Sequence, residues 1–196
     1  MPLVKFPDGS EKEFNEGVSL YEISKSISNS LTKSAVAARV NGSLKDLSVQ
    51  IDKDCSVQIV TKHEDAGLET IRHSFAHLVG HAVKQLYPDA QMAIGPTIKD
   101  GFYYDIDMPE SIGESDLVKI ESKVRELVRQ NYDVVREVVT ADKARSVFEA
   151  RRETYKIEIV DEIADDEIIA LYHHQEYTDM CRGPHVPNTK FLRHFK

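Results

Sequence analysis

The chain is short of several things, and each shortage excludes a class of protein. It has 2 cysteines in 196 residues, Cys55 and Cys181. That is no disulfide framework, and the expectation is a pair of reduced thiols in a cytoplasmic setting. No run of apolar residues approaches the length needed to cross a bilayer, and MPLVKFPDGSEKEF lacks the basic-then-apolar order of a signal peptide. No repeat or low-complexity tract is present. Positive charge is also in deficit: 25 basic against 33 acidic residues give −8, which argues against broad, nonspecific nucleic-acid binding. What is present is ordinary for a soluble domain, with 41% hydrophobic and 30% charged residues, enough for one domain or two small ones.

Residues 1–62 read as a unit of their own. LVKF and EKEF flank the turn PDGS and predict a hairpin. Ser19 followed by Glu22 is a capping box that opens a short helix with Leu20, Ile23 and Ile27 on one face. AVAARVNGSLKDL predicts a strand, an Asn-Gly turn and a second strand, and SVQIV adds an alternating strand. The order suggests a β-grasp, or ubiquitin-like, fold. The 8 basic and 8 acidic residues of this stretch cancel, so the negative excess lies downstream.

From residue 63 to 196 the pattern is that of an α+β domain. A helix over about 66–87 ends before Pro88. AQMAIGP and GFYYDID read as strands around TIKDG, followed by a charged helix over 114–131. That helix carries Lys119, Lys123, Arg125 and Arg129, read as a solvated face laced with i,i+4 pairs. DVVREVV predicts a strand, TADKARSVFEAR a helix with Thr140 as N-cap, and IIALYHH a strand.

Two segments carry chemistry. HSFAHLVGH places His73, His77 and His81 at i, i+4 and i+8 along one helical stripe. At a rise of 1.5 Å per residue, neighbours in this series are about 6 Å apart and the outer two about 12 Å, so one ion can join adjacent histidines but not all three. YTDMCRGPHVPN holds Cys181 and His185 four residues apart, with Gly183-Pro184 favouring a turn over a helix. Two imidazoles from the helix with Cys181 and His185 would make a credible tetrahedral zinc shell. Spacing does not distinguish the 73/77 pair from 77/81. The zinc-protease signature needs a glutamate where Ser74 stands, which argues against that class.

HSFAHLVGHAVKQLYPDAQMAIGPTIKDGFYYDID together with YTDMCRGPHVPNT resembles the N-terminal half of bacterial-type threonyl-tRNA synthetases, across essentially the whole chain. The resemblance implies a TGS (β-grasp) domain over 1–62 and a tRNA-editing domain over 63–196. It implies hydrolysis of mischarged Ser-tRNA(Thr), with His73 and Lys156 as catalytic residues and His77, Tyr104, Asp179, Cys181 and His185 lining the substrate pocket. It selects 73/77 as the working pair and leaves His81 a structural neighbour. Without the resemblance, Lys156 in TYKIEI would read as an exposed lysine on a strand. No cofactor is expected, although Zn2+ bound by His73, His77, Cys181 and His185 is the alternative used by related alanyl-type domains. The implied partners are the serine-bearing acceptor end of tRNA(Thr) and the remainder of a homodimeric synthetase. The chain stops at FLRHFK before any class II catalytic motif, so no aminoacylation is expected of it. Two other function classes compete: a noncatalytic RNA- or protein-binding fragment with structural histidines, and a zinc-dependent hydrolase.

Overall fold

The computed structural model describes residues 1–163 and 168–195. The chain folds as two compact units, Met1–Ile71 with Gly183–Pro187, and Arg72–Arg182 with Asn188–Lys196.

In the first unit, β1 (Leu3–Lys5) and β2 (Glu11–Glu13) form the expected hairpin, with Leu3 opposite Glu13. Gly9 takes φ +84° at its turn, and Asp8 accepts from the backbone N–H and hydroxyl of Ser10. After β3 (Val18–Ser19), the Ser19–Glu22 capping box opens α1 (Leu20–Ile27) as the sequence predicts. Leu20 and Ile23 are buried, but Ile27 is 46% exposed. The helix stops there, and Ser28 turns the chain into a second helix that periodicity missed, α2 (Asn29–Ser34), capped by the Ser28 hydroxyl.

β4 (Ala35–Val40) and β5 (Ser43–Lys45) meet at Asn41-Gly42, both with positive φ, as a two-residue hairpin requires. β6 (Gln50–Ile51) pairs with β3, and β7 (Cys55–Thr61) runs parallel to β1 and antiparallel to β4. The sheet order β2-β1-β7-β4-β5 holds Val4, Leu20, Ile23, Ala35, Ala38 and Val57 in one core, the β-grasp arrangement.

The long helix α3 (Asp65–Leu86) contributes its first residues to this unit and its residues from Arg72 onward to the second. Gly67 sits where a Cβ would come 2.0 Å from the Thr61 carbonyl oxygen, so only glycine lets the helix start this close to the end of β7.

The second unit continues with two nested ladders, β8 (Gln91–Met92) on β11 (Ile106–Asp107) and, inside it, β9 (Thr97–Ile98) on β10 (Gly101–Phe102). The strands expected over AQMAIGP and GFYYDID are thus reduced to two-residue pairs. Gly95-Pro96 interrupts the first, since proline has no N–H to give a ladder.

Next comes α4 (Glu114–Gln130), which buries Val124, Leu127 and Val128 and lines its outer side with Asp116–Lys119, Glu121–Arg125 and Lys123–Glu126 ion pairs. β12 (Val135–Val139), α5 (Ala141–Ala150), α6 (Thr154–Glu162), β13 (Ile169–His174) and β14 (Tyr177–Met180) complete the unit with a 3-10 turn at Thr189–Phe191. Thr140 caps α5 as expected. TYKIEI departs from the strand reading: Glu153 and the preceding turn start a helix there, and Lys156 is buried. β12, β13 and β14 form an antiparallel sheet in chain order. Ala144, Phe148, Val160, Ile169 and Leu171 pack α5 and α6 on it.

Candidate functional site

The site grows from the meeting of α3 with one face of β13 and β14. In a strand, alternate residues share a face, so Tyr177, Asp179 and Cys181 project alike. In the antiparallel register, Tyr172 stands opposite Asp179 and His174 opposite Tyr177. The helix brings its histidine stripe against this face: the His77 ring lies 6.1 Å from Tyr172 and 6.0 Å from His174, and His81 stacks on Tyr177 at 5.7 Å.

Gly80 sits between those two histidines, where an added Cβ would come 2.6 Å from the Tyr177 hydroxyl. The helix and β14 can therefore approach only with glycine at this point.

Asp179 is the hub. It is 1% exposed, and both oxygens are occupied. Oδ1 pairs with the Lys156 ammonium at 2.5 Å and accepts from the Met180 N–H at 2.7 Å. Oδ2 accepts from the Tyr104 and Tyr177 hydroxyls at 2.5 and 2.9 Å, with His77 Nε2 at 3.8 Å. Burial alone pushes this carboxyl up. The Lys156 charge, His77, and the hydrogen bonds from Lys156 and Tyr104 outweigh it and hold the group ionised, well below the usual carboxylate range.

The two phenols answer in the opposite direction. Burial and the Asp179 charge raise Tyr104 and Tyr177 well above the usual value, so both remain hydrogen-bond donors. His77 is forced down to about 3, by burial first, against the pull of Asp179 and with the help of His73 and Lys156. It is a neutral imidazole at pH 7.

His73 lies beside it, half-buried, with its ring edge-on at 5.4 Å. Cys181 follows β14 and is half-buried, a thiol outside any disulfide. The ligand atoms of His73, His77 and Cys181 lie within 4.8 Å of one another. A tetrahedral zinc with bonds of about 2.0 Å to nitrogen and 2.3 Å to sulfur spaces these ligands roughly 3.3–3.5 Å apart, so the donor types suit zinc and the spacing needs closing by up to about 1.5 Å.

His185 is buried in the return segment Gly183–Pro187 of the first unit, where its backbone N–H donates to Asp46 Oδ1 at 2.9 Å. The segment after Cys181 is not helical, in accord with the Gly-Pro signal, and the Gly183-Pro184 bond is cis. Of the seven residues singled out in the sequence, His73, His77, Tyr104, Lys156, Asp179 and Cys181 all belong to the second unit.

His81 is not an incidental neighbour. It is wholly buried, with Nδ1 2.9 Å from the Tyr132 hydroxyl and Nε2 2.9 Å from Glu176. Burial lowers its pKa against the opposing pull of Glu176. His174, also fully buried, completes this layer with Nδ1 3.3 Å from the same tyrosine. Sequence reasoning missed Tyr177, Tyr132 and His174. Tyr177 was accessible through strand alternation, two residues before Asp179, whereas the partners of His81 lie 51 and 95 residues away and leave no local signal.

Two family profiles match the chain. Residues 3–61 match the TGS domain, and residues 169–196 match the threonyl and alanyl tRNA synthetase second additional domain. Over all 196 residues the chain is 53% identical to a threonine--tRNA ligase of Prochlorococcus marinus (strain MIT 9211), of which it spans 31%. No helix among the described residues is long and apolar enough to cross a membrane.

Proposed function

We propose, for a chain related along its whole length to the N-terminal part of threonyl-tRNA synthetases, an editing reaction: hydrolysis of the ester between serine and the terminal adenosine of tRNA(Thr). The observation that carries this reading is the buried Lys156–Asp179 pair, braced by Tyr104 and Tyr177 and set beside neutral His77.

Serine lacks one methyl of threonine, and a pocket separates such a pair by only about 1–3 kcal/mol. A second, smaller pocket adds a further sieve. Ester hydrolysis needs an oriented water, a proton acceptor and a positive group for the oxyanion. In this reading His73 takes the proton of a water that attacks the seryl carbonyl carbon. Lys156, which uses one of its three donors on Asp179, meets the developing oxyanion. The C–O bond to the ribose then breaks, and its oxygen takes the proton that His73 accepted from the water, giving free serine and a ribose hydroxyl.

His77 and Cys181 wall the pocket around the seryl group. Asp179 has both oxygens filled by protein donors. Its role is therefore to hold Lys156, Tyr104 and Tyr177 in place rather than to bind the seryl amine.

A zinc ion held by His73, His77 and Cys181 of the second unit would supply Lewis acidity and an activated water. Lys156 already provides positive charge at the site, and the reaction is proposed to need no metal. The setting is the cytoplasm, with tRNA(Thr) and the remainder of a homodimeric synthetase as partners.

The test is deacylation of Ser-tRNA(Thr) and Thr-tRNA(Thr), with and without chelator, by the chain and by its His73→Ala and Lys156→Ala variants. The expected result is selective, chelator-resistant hydrolysis that falls about 100-fold or more in each variant. Folded variants as active as the parent would leave a noncatalytic binding fragment, and loss on chelation would make it a zinc hydrolase.

A further inference from the structure

Lys156 stands in the first turn of α6, close behind Thr154 at its start. The macrodipole is positive at that end, so a cation there gains nothing from its own helix. Its place against Asp179 therefore depends on how the start of α6 is held.

That start has no cap of its own. Glu153 occupies the N-cap position, where serine, threonine, aspartate or asparagine ordinarily satisfies the first N–H groups, yet its side chain makes no capping bond. The Thr154 N–H donates instead to the Gln91 side chain of β8 at 3.0 Å. The Glu153 carboxylate turns inward and is buried. Its Oε2 accepts from the Met92 N–H at 3.2 Å, and its Oε1 meets the Lys84 ammonium at 2.8 Å.

Lys84, in the last turn of α3, spends its two remaining donors on the Pro88 and Ala90 carbonyls, both at 2.8 Å. One ammonium thus ties α3, the loop to β8 and the start of α6 at a single point. A buried ion pair is poor evidence for stability, because desolvation offsets the attraction. What this pair does fix is geometry. α3 carries His73, His77 and Lys84, while Glu153 and Lys156 flank the first turn of α6.

We propose that Lys84 and Glu153 are positioning residues for the editing reaction: their buried pair holds α6 on α3 and so sets Lys156 against the histidines that α3 carries. This inference rests on the editing reading and names what aligns its two catalytic groups.

The experiment is deacylation of Ser-tRNA(Thr) by the chain, by Glu153→Gln and by the double variant Lys84→Met/Glu153→Gln. Glu153→Gln keeps the length of the side chain and an acceptor for Met92, and the double variant leaves no buried charge unpaired. In both, kcat should fall about 10- to 100-fold with KM little changed, because Lys156 meets a charge present only in the transition state. On a Lys156→Ala background, Glu153→Gln should cause no further loss, since residues acting through one group are not additive. Arg145→Gln, which breaks the exposed pair with Asp161 of α6, should leave kcat unchanged. The Lys156 ammonium signal in a ¹H–¹⁵N NMR spectrum, identified by its absence in Lys156→Ala, should shift in both variants.

Unchanged kcat in the folded variants, or an unmoved ammonium signal, overturns the proposal. So does an undiminished further loss on the Lys156→Ala background, or an equal loss in Arg145→Gln, which would mean a general loosening of α6. If the parent chain leaves Ser-tRNA(Thr) intact, or Lys156→Ala is as active as the parent, the editing reading falls. The ammonium signal then decides alone: a shift in Glu153→Gln keeps the positioning of Lys156, and no shift ends it.

Discussion

Asp179 constrains every residue around it, because four donors converge on its two oxygens. Asp179→Asn keeps the shape but points an amide N–H₂ at groups that are themselves donors. The loss should be about 3–5 kcal/mol, as for a buried pair with one partner removed, and a urea midpoint measures it. Tyr177→Phe removes the bond to Asp179 and the longer one with the Tyr104 hydroxyl, and should cost about 1–2 kcal/mol, while lowering deacylation through a less firmly held Lys156.

His81 calls for a different expectation. Spacing leaves it a candidate beside His77, and the family resemblance makes it a structural neighbour. Wholly buried between Tyr132, Glu176 and Tyr177, it should lose about 2–4 kcal/mol as His81→Ala, by cavity formation and two abandoned partners. Hydrolysis per folded molecule should persist, so thermal melting and specific activity must be measured together. The sequence exposed the catalytic-type residues as residue types at a spacing. It could not expose what fills their hydrogen bonds, since those partners come from α6, β10–β11 and β14 at once.

At the scale of elements, local signals worked where the determinant is itself local. The Ser19–Glu22 box, the Thr140 cap and the Asn41-Gly42 turn each act within four residues and were each legible. Failures came where a partner decides. TYKIEI alternates well enough for a strand, yet its polar Lys156 is drawn into the interior by Asp179 and the segment folds as a helix. Likewise α2 has no buried residue to mark it and depends on the Ser28 cap.

The approach of α3 to β14 gives the sharpest test. By helix propensity alone, Gly80→Ala would stabilise by up to about 1 kcal/mol. With the Tyr177 hydroxyl 2.6 Å from the new methyl, the expected sign is the reverse. Gly80→Ala should lower the melting temperature, and adding Tyr177→Phe should recover part of the loss.

Over the whole molecule, three of the four buried imidazoles bear on the acid limit. Burial lowers His77, to about 3, and likewise His81 and His174. Groups whose folded pKa is depressed favour the native state above the unfolded value, and their contribution is lost as pH falls toward the folded one. Stability should therefore be complete above about pH 6.5 and decline below it, with His77 alone costing about 2 kcal/mol between pH 7 and 5. Chemical denaturation at those two pH values tests this, and an unchanged midpoint contradicts it.

The division of charge was legible from counting, and so was the two-part order of a β-grasp and an α+β region. The Lys84–Glu153 pair was not. Lys84 closes α3 and Glu153 opens α6, and nothing in the pattern of residues joins them.

The phenols around Asp179 have an optical consequence. The chain contains 8 tyrosines and no tryptophan, so its near-ultraviolet absorbance belongs almost wholly to phenol rings. Tyr104 and Tyr177 resist ionisation because they are buried and because their protons are held against the Asp179 carboxylate. In an alkaline titration followed by phenolate absorbance, the exposed rings should ionise reversibly first. The last part of the signal should appear only as the second unit opens. The height of that delayed step would count the buried phenols, Tyr104 and Tyr177 on Asp179 together with Tyr132, which burial also holds back, without any label being attached.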